Sequence, residues 1–149
     1  FVNGRFHEVL GDAAADPKKV KRLVLATGKV AHDLMDRRAE DGIDDVAIVR
    51  IEQCYPFPEQ QLREAVKPFA KAEMIWCQEE PQNMGAWFFM EPRLRTLFSR
   101  EITYAGRDAA ASPAPGSMAL HLLEQENLVS RALGVPARAV ASAKVGSVH

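Results

Sequence analysis

The sequence predicts one α/β domain of three layers, with a mostly parallel sheet between two layers of helices. Three observations predict it. Short apolar runs recur, each stopped by glycine, proline or charge, as buried central strands are. Between them, apolar side chains repeat at helical spacing. The two patterns alternate with short connections and no internal repeat, as strands joined by crossover helices do. With 149 residues, 47% of them hydrophobic, the chain can bury one core without disulfides or a structural metal.

Residues 1–19 read as a lead-in from a preceding domain, since Phe1-Val2-Asn3-Gly4-Arg5-Phe6 resembles the middle of a polypeptide and the chain does not open on methionine. The core domain is expected over 20–134. Its first strand, about 21–26, ends in Thr27-Gly28-Lys29, and a helix follows from Val30, with Val30, Ala31, Leu34 and Met35 on one face and Asp33, Asp36, Arg37 and Arg38 on the other. Val46 to Ile51 repeats the buried-strand pattern. Pro56 and Pro58 then forbid regular pairing, because proline has no amide to donate. Pro58 is expected at the first position of a helix reaching about Phe69, where proline is best tolerated.

Met74-Ile75-Trp76-Cys77 reads as a short third strand, running into a loop from Gln78 to Trp87 at the strand end where open α/β sheets place functional groups. A helix over 86–98 contains Pro92, a potential kink. A fourth strand covers 101–105, with Gly106-Arg107 leading into a loop of small residues. The last helix, about 117–133, offers Met118, Leu122, Leu128, Val129 and Ala132 for burial. Gly134-Val135-Pro136 ends it, and 135–149 reads as a flexible tail.

Composition narrows the function. Lysine plus arginine number 19 against 20 acidic residues, so no charge excess points to nucleic acid, and no apolar run approaches a bilayer span. Cys54 and Cys77 lie among apolar residues and read as buried thiols. The four histidines lack metal-ligand spacing, and neither a Walker loop, a G-x-G-x-x-G fingerprint nor a G-x-S-x-G elbow occurs. Thr27-Gly28-Lys29 therefore reads as a tight turn. Glu79 and Glu80 are neighbours that should point to opposite sides, which suits surface, capping or interface roles better than paired acid/base work. Arg107 beside a glycine suits a salt bridge or an anion contact. Asn83 lies in the same loop region, and Trp87-Phe88-Phe89 suits core or a subunit interface.

Three stretches carry a resemblance: 46–58 (VAIVRIEQCYPFP), 76–87 (WCQEEPQNMGAW) and 104–116 (YAGRDAAASPAPG). In sequence, order and spacing they resemble the carboxyl-terminal domain of the 2-oxoglutarate dehydrogenase E1 component, and His121, Glu124, Gln125, Leu128 and Val129 of the last helix are similar to it too. The chain departs at Met84, where many relatives carry a polar residue, and in a longer tail. The resemblance implies a transketolase-like domain of a homodimeric enzyme. That enzyme would use thiamine diphosphate and Mg2+, bound by domains absent here, to decarboxylate 2-oxoglutarate and pass the succinyl group to the lipoyl arm of the E2 succinyltransferase. It would work in the tricarboxylic acid cycle, in the bacterial cytoplasm or the mitochondrial matrix. No catalytic or metal residue is expected in this piece, which would serve assembly and regulation. By position in the family, Arg5 and Gln53 would contact a regulatory acetyl-CoA. Two other readings share the fold: a freestanding nucleotide- or CoA-binding regulatory domain, and the same domain of a 2-oxoadipate-using relative. A third assigns the aromatic loop and the tail to E2 docking.

Overall fold

The structure is a computed structural model describing residues 7–109 and 117–140. Val9–Leu10 (β1), Arg22–Thr27 (β2), Val30–Glu40 (α1), Val46–Ile51 (β3) and Glu59–Val66 (α2) come first. Glu73–Pro81 (β4), Trp87–Phe98 (α3), Thr103–Arg107 (β5) and Met118–Leu133 (α4) follow. The sheet order is β1-β3-β2-β4-β5. All pairings among β2 to β5 are parallel, and only β1 runs antiparallel, with Val9 opposite Ile51.

Side chains alternate across a strand, so each strand feeds two cores. Leu23, Leu25, Val49, Met74 and Trp76 pack with Leu62 and Val66 of α2 and with Met90 and Leu94 of α3. Val24, Ala26, Ile48, Ile75 and Cys77 pack with Val30 and Leu34 of α1 and with Leu128 and Ala132 of α4. A sheet buried on both faces requires apolar runs without polar alternation, and β2 and β3 have them. The expected three-layer α/β/α arrangement is the one observed.

Asp12 ties the segment after β1 to the body. Its side chain is 4% exposed, accepts a 2.8 Å hydrogen bond from the Ile48 amide and pairs with Arg38. A buried carboxylate satisfied by a guanidinium and a backbone amide is a strong local anchor. Gly28 turns β2 into α1 at φ +70°, a conformation glycine reaches without steric penalty.

Several boundaries differ from the sequence-based expectation. β2, β3 and α1 agree within two residues, but β1 was not expected, because two residues are too short to show a period, and Pro58 is the N-cap of α2 rather than its first residue. That helix stops at Val66 and tightens into a 3₁₀ turn over Lys67–Phe69, because Pro68 cannot donate the next helical hydrogen bond. β4 is longer than expected and includes Gln78, Glu79, Glu80 and Pro81, with an irregular register against β5 between Gln78 and Pro81. β5 starts two residues late. α3 runs through Pro92 unbroken, and the Arg93 guanidinium donates to the exposed-side carbonyl of Phe89 at 2.7 Å. Met118 and Leu122 are 70% and 47% exposed instead of buried, because α4 buries apolar side chains against the sheet only through its second half.

Candidate functional site at the carboxyl edge of the sheet

The residues singled out in the sequence converge, with one exception, on the edge where the parallel strands end. β4 organises it. Gln78 lies on the same face as Met74 and Trp76 and is fully buried. Its Oε1 accepts from Trp76 Nε1 at 2.9 Å and from the Trp87 amide at 3.1 Å. Its Nε2 faces the carbonyls of Glu80 and Pro81, both at 3.1 Å, and of Met84 at 2.8 Å. One buried amide thereby fixes the turn between β4 and α3. Gly85 closes that turn at φ +67°, and a Cβ there would lie 3.1 Å from both Gln78 Nε2 and Glu80 Cβ. Asn83 stands exposed on the turn, and Trp87 is buried beneath it.

Glu79 and Glu80 point apart, as neighbours in a strand must. Glu79 belongs to the α4 face, where its Oε1 lies 3.4 Å from Gln125 Nε2, and that same nitrogen donates to Asp33 Oδ2 at 2.8 Å. Glu80 is exposed on the other face, so the two carboxylates form no acid/base pair. Arg107 ends β5 with its side chain 10% exposed. Nε donates to Glu124 Oε2 at 2.9 Å, Nη1 to the Glu79 carbonyl, and Nη2 lies 3.3 Å from both His121 Nδ1 and Gln125 Oε1. The guanidinium is thus engaged on every nitrogen, joining β4, β5 and α4.

Tyr104 seals the edge from below. Its hydroxyl donates to the Arg107 carbonyl at 2.6 Å, and its ring tilts against Trp87 at 5.1 Å. Burial is the main reason its pKa is pushed up to about 12. A Cβ on Gly106 would fall 2.6 Å from that hydroxyl, so the close approach requires glycine. Burial likewise holds the Cys77 thiol up at about 12 and raises that of Cys54. Neither sulfur is activated.

At the far side of the edge, Gln53 Nε2 donates to the Tyr55 carbonyl at 2.9 Å, and the Gln53 amide to the Glu8 carbonyl at 3.3 Å. Arg5, the residue paired with it in the sequence reading, lies outside the described residues. The sequence reading missed Gln78, Tyr104 and Asp33 as organising groups. Gln78 had a legible signal, since it continues the inward alternation Met74, Trp76. Asp33 had none, because its partner Gln125 is 92 residues away, and Tyr104 read only as a strand residue although its acceptor Arg107 is three residues on.

Among the described residues, no three His, Cys, Asp or Glu side chains are grouped to hold a metal ion, and no helix is long and apolar enough to cross a membrane. The arrangement can brace a surface, with the Arg107 guanidinium engaged on every nitrogen.

Comparison with solved structures places the fold in the transketolase-like class. A split-gene transketolase, solved as an inactive β4 tetramer, matches with a TM-score of 0.56 at 12% identity, over 89% of this chain and 45% of that one. The 2-oxoglutarate dehydrogenase C-terminal family model matches residues 1–133, and the chain belongs to that family. It is 47% identical to the 2-oxoglutarate dehydrogenase E1 component of Azotobacter vinelandii, over 89% of this chain and 15% of the relative. The Haemophilus influenzae E1 component is 46% identical over the same shares, and that of Brucella anthropi 44% identical over 87% and 14%. The chain spans about one seventh of the length of the curated relatives it matches.

Proposed function

We infer that this domain completes the fold and assembly of a thiamine-diphosphate-dependent E1 component that decarboxylates 2-oxoglutarate and delivers the succinyl group to the lipoyl arm of an E2 succinyltransferase. The family match across residues 1–133 carries the reading. In that enzyme, a homodimer of the bacterial cytoplasm serving the tricarboxylic acid cycle, thiamine diphosphate supplies the electron sink for decarboxylation. The residues here do not fit that cofactor. Arg107 spends its donors on Glu124, Glu79, His121 and Gln125, leaving no cradle for a diphosphate, and the described acidic side chains form no ligand set for Mg2+. Chemistry accordingly belongs to the larger part of the polypeptide. Glu79, Arg107 and Trp87 brace this domain internally, while Glu80 and Asn83 face outward from the same edge.

The full-length polypeptide, supplied with thiamine diphosphate, Mg2+ and an artificial electron acceptor, should oxidise 2-oxoglutarate in preference to 2-oxoadipate. Preference for 2-oxoadipate, or a native mass near 16.5 kDa, would sink the reading. One observation favours an added regulatory role. The Gln53 backbone amide bonds to the carbonyl of Glu8, so Gln53 stands beside the start of the described chain, where its side-chain amide suits the polar groups of an acetyl-CoA. Calorimetry of the full-length enzyme with acetyl-CoA should show binding that Arg5→Ala and Gln53→Ala weaken. No heat from the parent enzyme would discard the role.

A further inference from the structure

Arg37 belongs by sequence to the charged face of α1, yet its side chain is only 6% exposed. What covers it is the segment after α4. Gly134 turns the chain at φ +73° and the Val135 amide donates to the Ser130 carbonyl at 3.0 Å, so residues 135–140 fold back between α1 and α4. This strap grips both helices through its backbone. Arg37 Nη2 donates to the Pro136 carbonyl at 3.2 Å, and the Arg138 amide donates to Glu126 Oε1 at 2.6 Å. That carboxylate oxygen also accepts from Arg37 Nη1 at 2.6 Å, while Arg37 Nε donates to Asp41 at 2.6 Å. The Arg138 side chain adds bonds to Glu40, at 2.8 Å, and to Asp41, both of them exposed residues.

Arg37–Glu126 is the ion pair that joins α1 to α4. The strength of such a pair depends on water: covered it is strong, whereas in the open it contributes little. The first two turns of α4 need that strength. Met118, Leu120, Leu122 and Leu123 are all exposed, and a groove of about 400 Å³, lined in part by Leu122, Val129 and Val140, separates this part of α4 from tight packing on α1. Short helical pieces without a packed face are marginal in water. Three consecutive residues supply the polar hold instead: Glu124 to Arg107, Gln125 to Asp33 and Glu126 to Arg37. Glu124 is 34% exposed and Glu126 17%, so the hold under the strap is the drier of the two ion pairs.

We propose that residues 135–140 form a latch that excludes water from the Arg37–Glu126 pair and thereby keeps the first half of α4 folded against α1. Release of the latch lets those turns open while the sheet stays intact. Such local opening draws on segments with few buried apolar contacts, and the second half of α4, with Leu128, Val129, Ala132 and Leu133 in the core, does not take part. The latch goes beyond the E1 reading and does not depend on it.

Amide hydrogen exchange of the full-length polypeptide tests the latch, against the same chain ended after Val135. Without the strap, the amides of His121 to Glu126 should exchange at least about tenfold faster, while those of Val46–Ile51 in β3 stay within about twofold. Unchanged α4 amides, or equal acceleration in β3, would overturn the proposal. Arg138→Pro deletes the amide donor in the intact chain and should accelerate the same α4 amides; no acceleration would count equally against the latch. Arg138→Ala keeps the backbone grip and should stay within about threefold of the parent, since its ion pairs are exposed. An effect as large as the truncation would place the hold in surface charge and overturn the latch. Glu126→Gln should accelerate these amides in the parent yet add less than about twofold in the shortened chain, where the pair is already wet. Full additivity would show that the strap and the pair act independently, against the proposal.

Discussion

Gln78 is the residue on which the candidate edge depends most. Its amide makes contacts in five directions from a fully buried position, so truncation leaves an indole N–H, a backbone amide and several carbonyls without their partner. Gln78→Ala should lower stability by roughly 2–4 kcal/mol, the range for breaking a buried hydrogen-bond network, as read by urea unfolding. Loss of less than about 0.5 kcal/mol, the size of an ordinary surface substitution, would show that water replaces the amide. Arg107 differs in kind. It joins three elements through charge-assisted bonds at the margin of solvent, so its contribution is geometric: it sets how α4 sits over the strand ends.

At the scale of elements, α3 contains the clearest conflict between local preference and tertiary demand. Proline in a helix interior removes one hydrogen bond and crowds the carbonyl four residues earlier, yet α3 stays continuous through Pro92 because Trp87, Met90 and Leu94 are held in the core on either side. Pro92→Ala restores the missing donor and should raise the thermal midpoint, with a gain of about 1 kcal/mol, well under the roughly 3 kcal/mol of an unconstrained helix interior. A lowered midpoint would mean that the ring itself packs. α4 shows the reverse relation. Its first half is capped by Ser117, whose hydroxyl accepts from the Leu120 amide at 3.1 Å, so the helix is well started although little of the domain packs against its first two turns.

At the scale of the whole molecule, a polar clasp closes the sequence onto itself far from the carboxyl edge. Glu126 of α4 accepts from Arg37 of α1 and from the Arg138 amide, each at 2.6 Å, and Arg37 also pairs with Asp41 at 2.6 Å. Burial pushes the Glu126 carboxyl up, but hydrogen bonds from Arg138, Arg37 and Ser130 outweigh it and leave the group below the ordinary carboxylate range. Asp41 is likewise lowered, chiefly by its hydrogen bond from Arg37. A carboxyl lowered on folding stabilises the native state fully above its unfolded pKa of about 4.3, and that contribution is lost as the pH falls through the folded value. Glu126→Gln should therefore melt below the parent at neutral pH, with the gap closing under about pH 4. A gap independent of pH would assign the effect to packing rather than charge.

Strand identity and helix order were legible in Val46 to Ile51, in Leu23 to Ala26 and in the spacing of Val30, Ala31 and Leu34, because a sheet buried on both faces must write itself as apolar runs. The family was legible in three long motifs that no composition could supply. Those features belong to the sequence alone, since local period and residue type determine them. Tertiary structure alone decided that β4 continues through Pro81, that Gln78 is the hub of its turn, that Arg107 is engaged on every nitrogen, and that Met118 and Leu122 lie in the open. Each depends on which residues, distant in the chain, come within a few ångströms. A side chain's period tells which face it takes, but only the packed neighbours tell whether that face is covered.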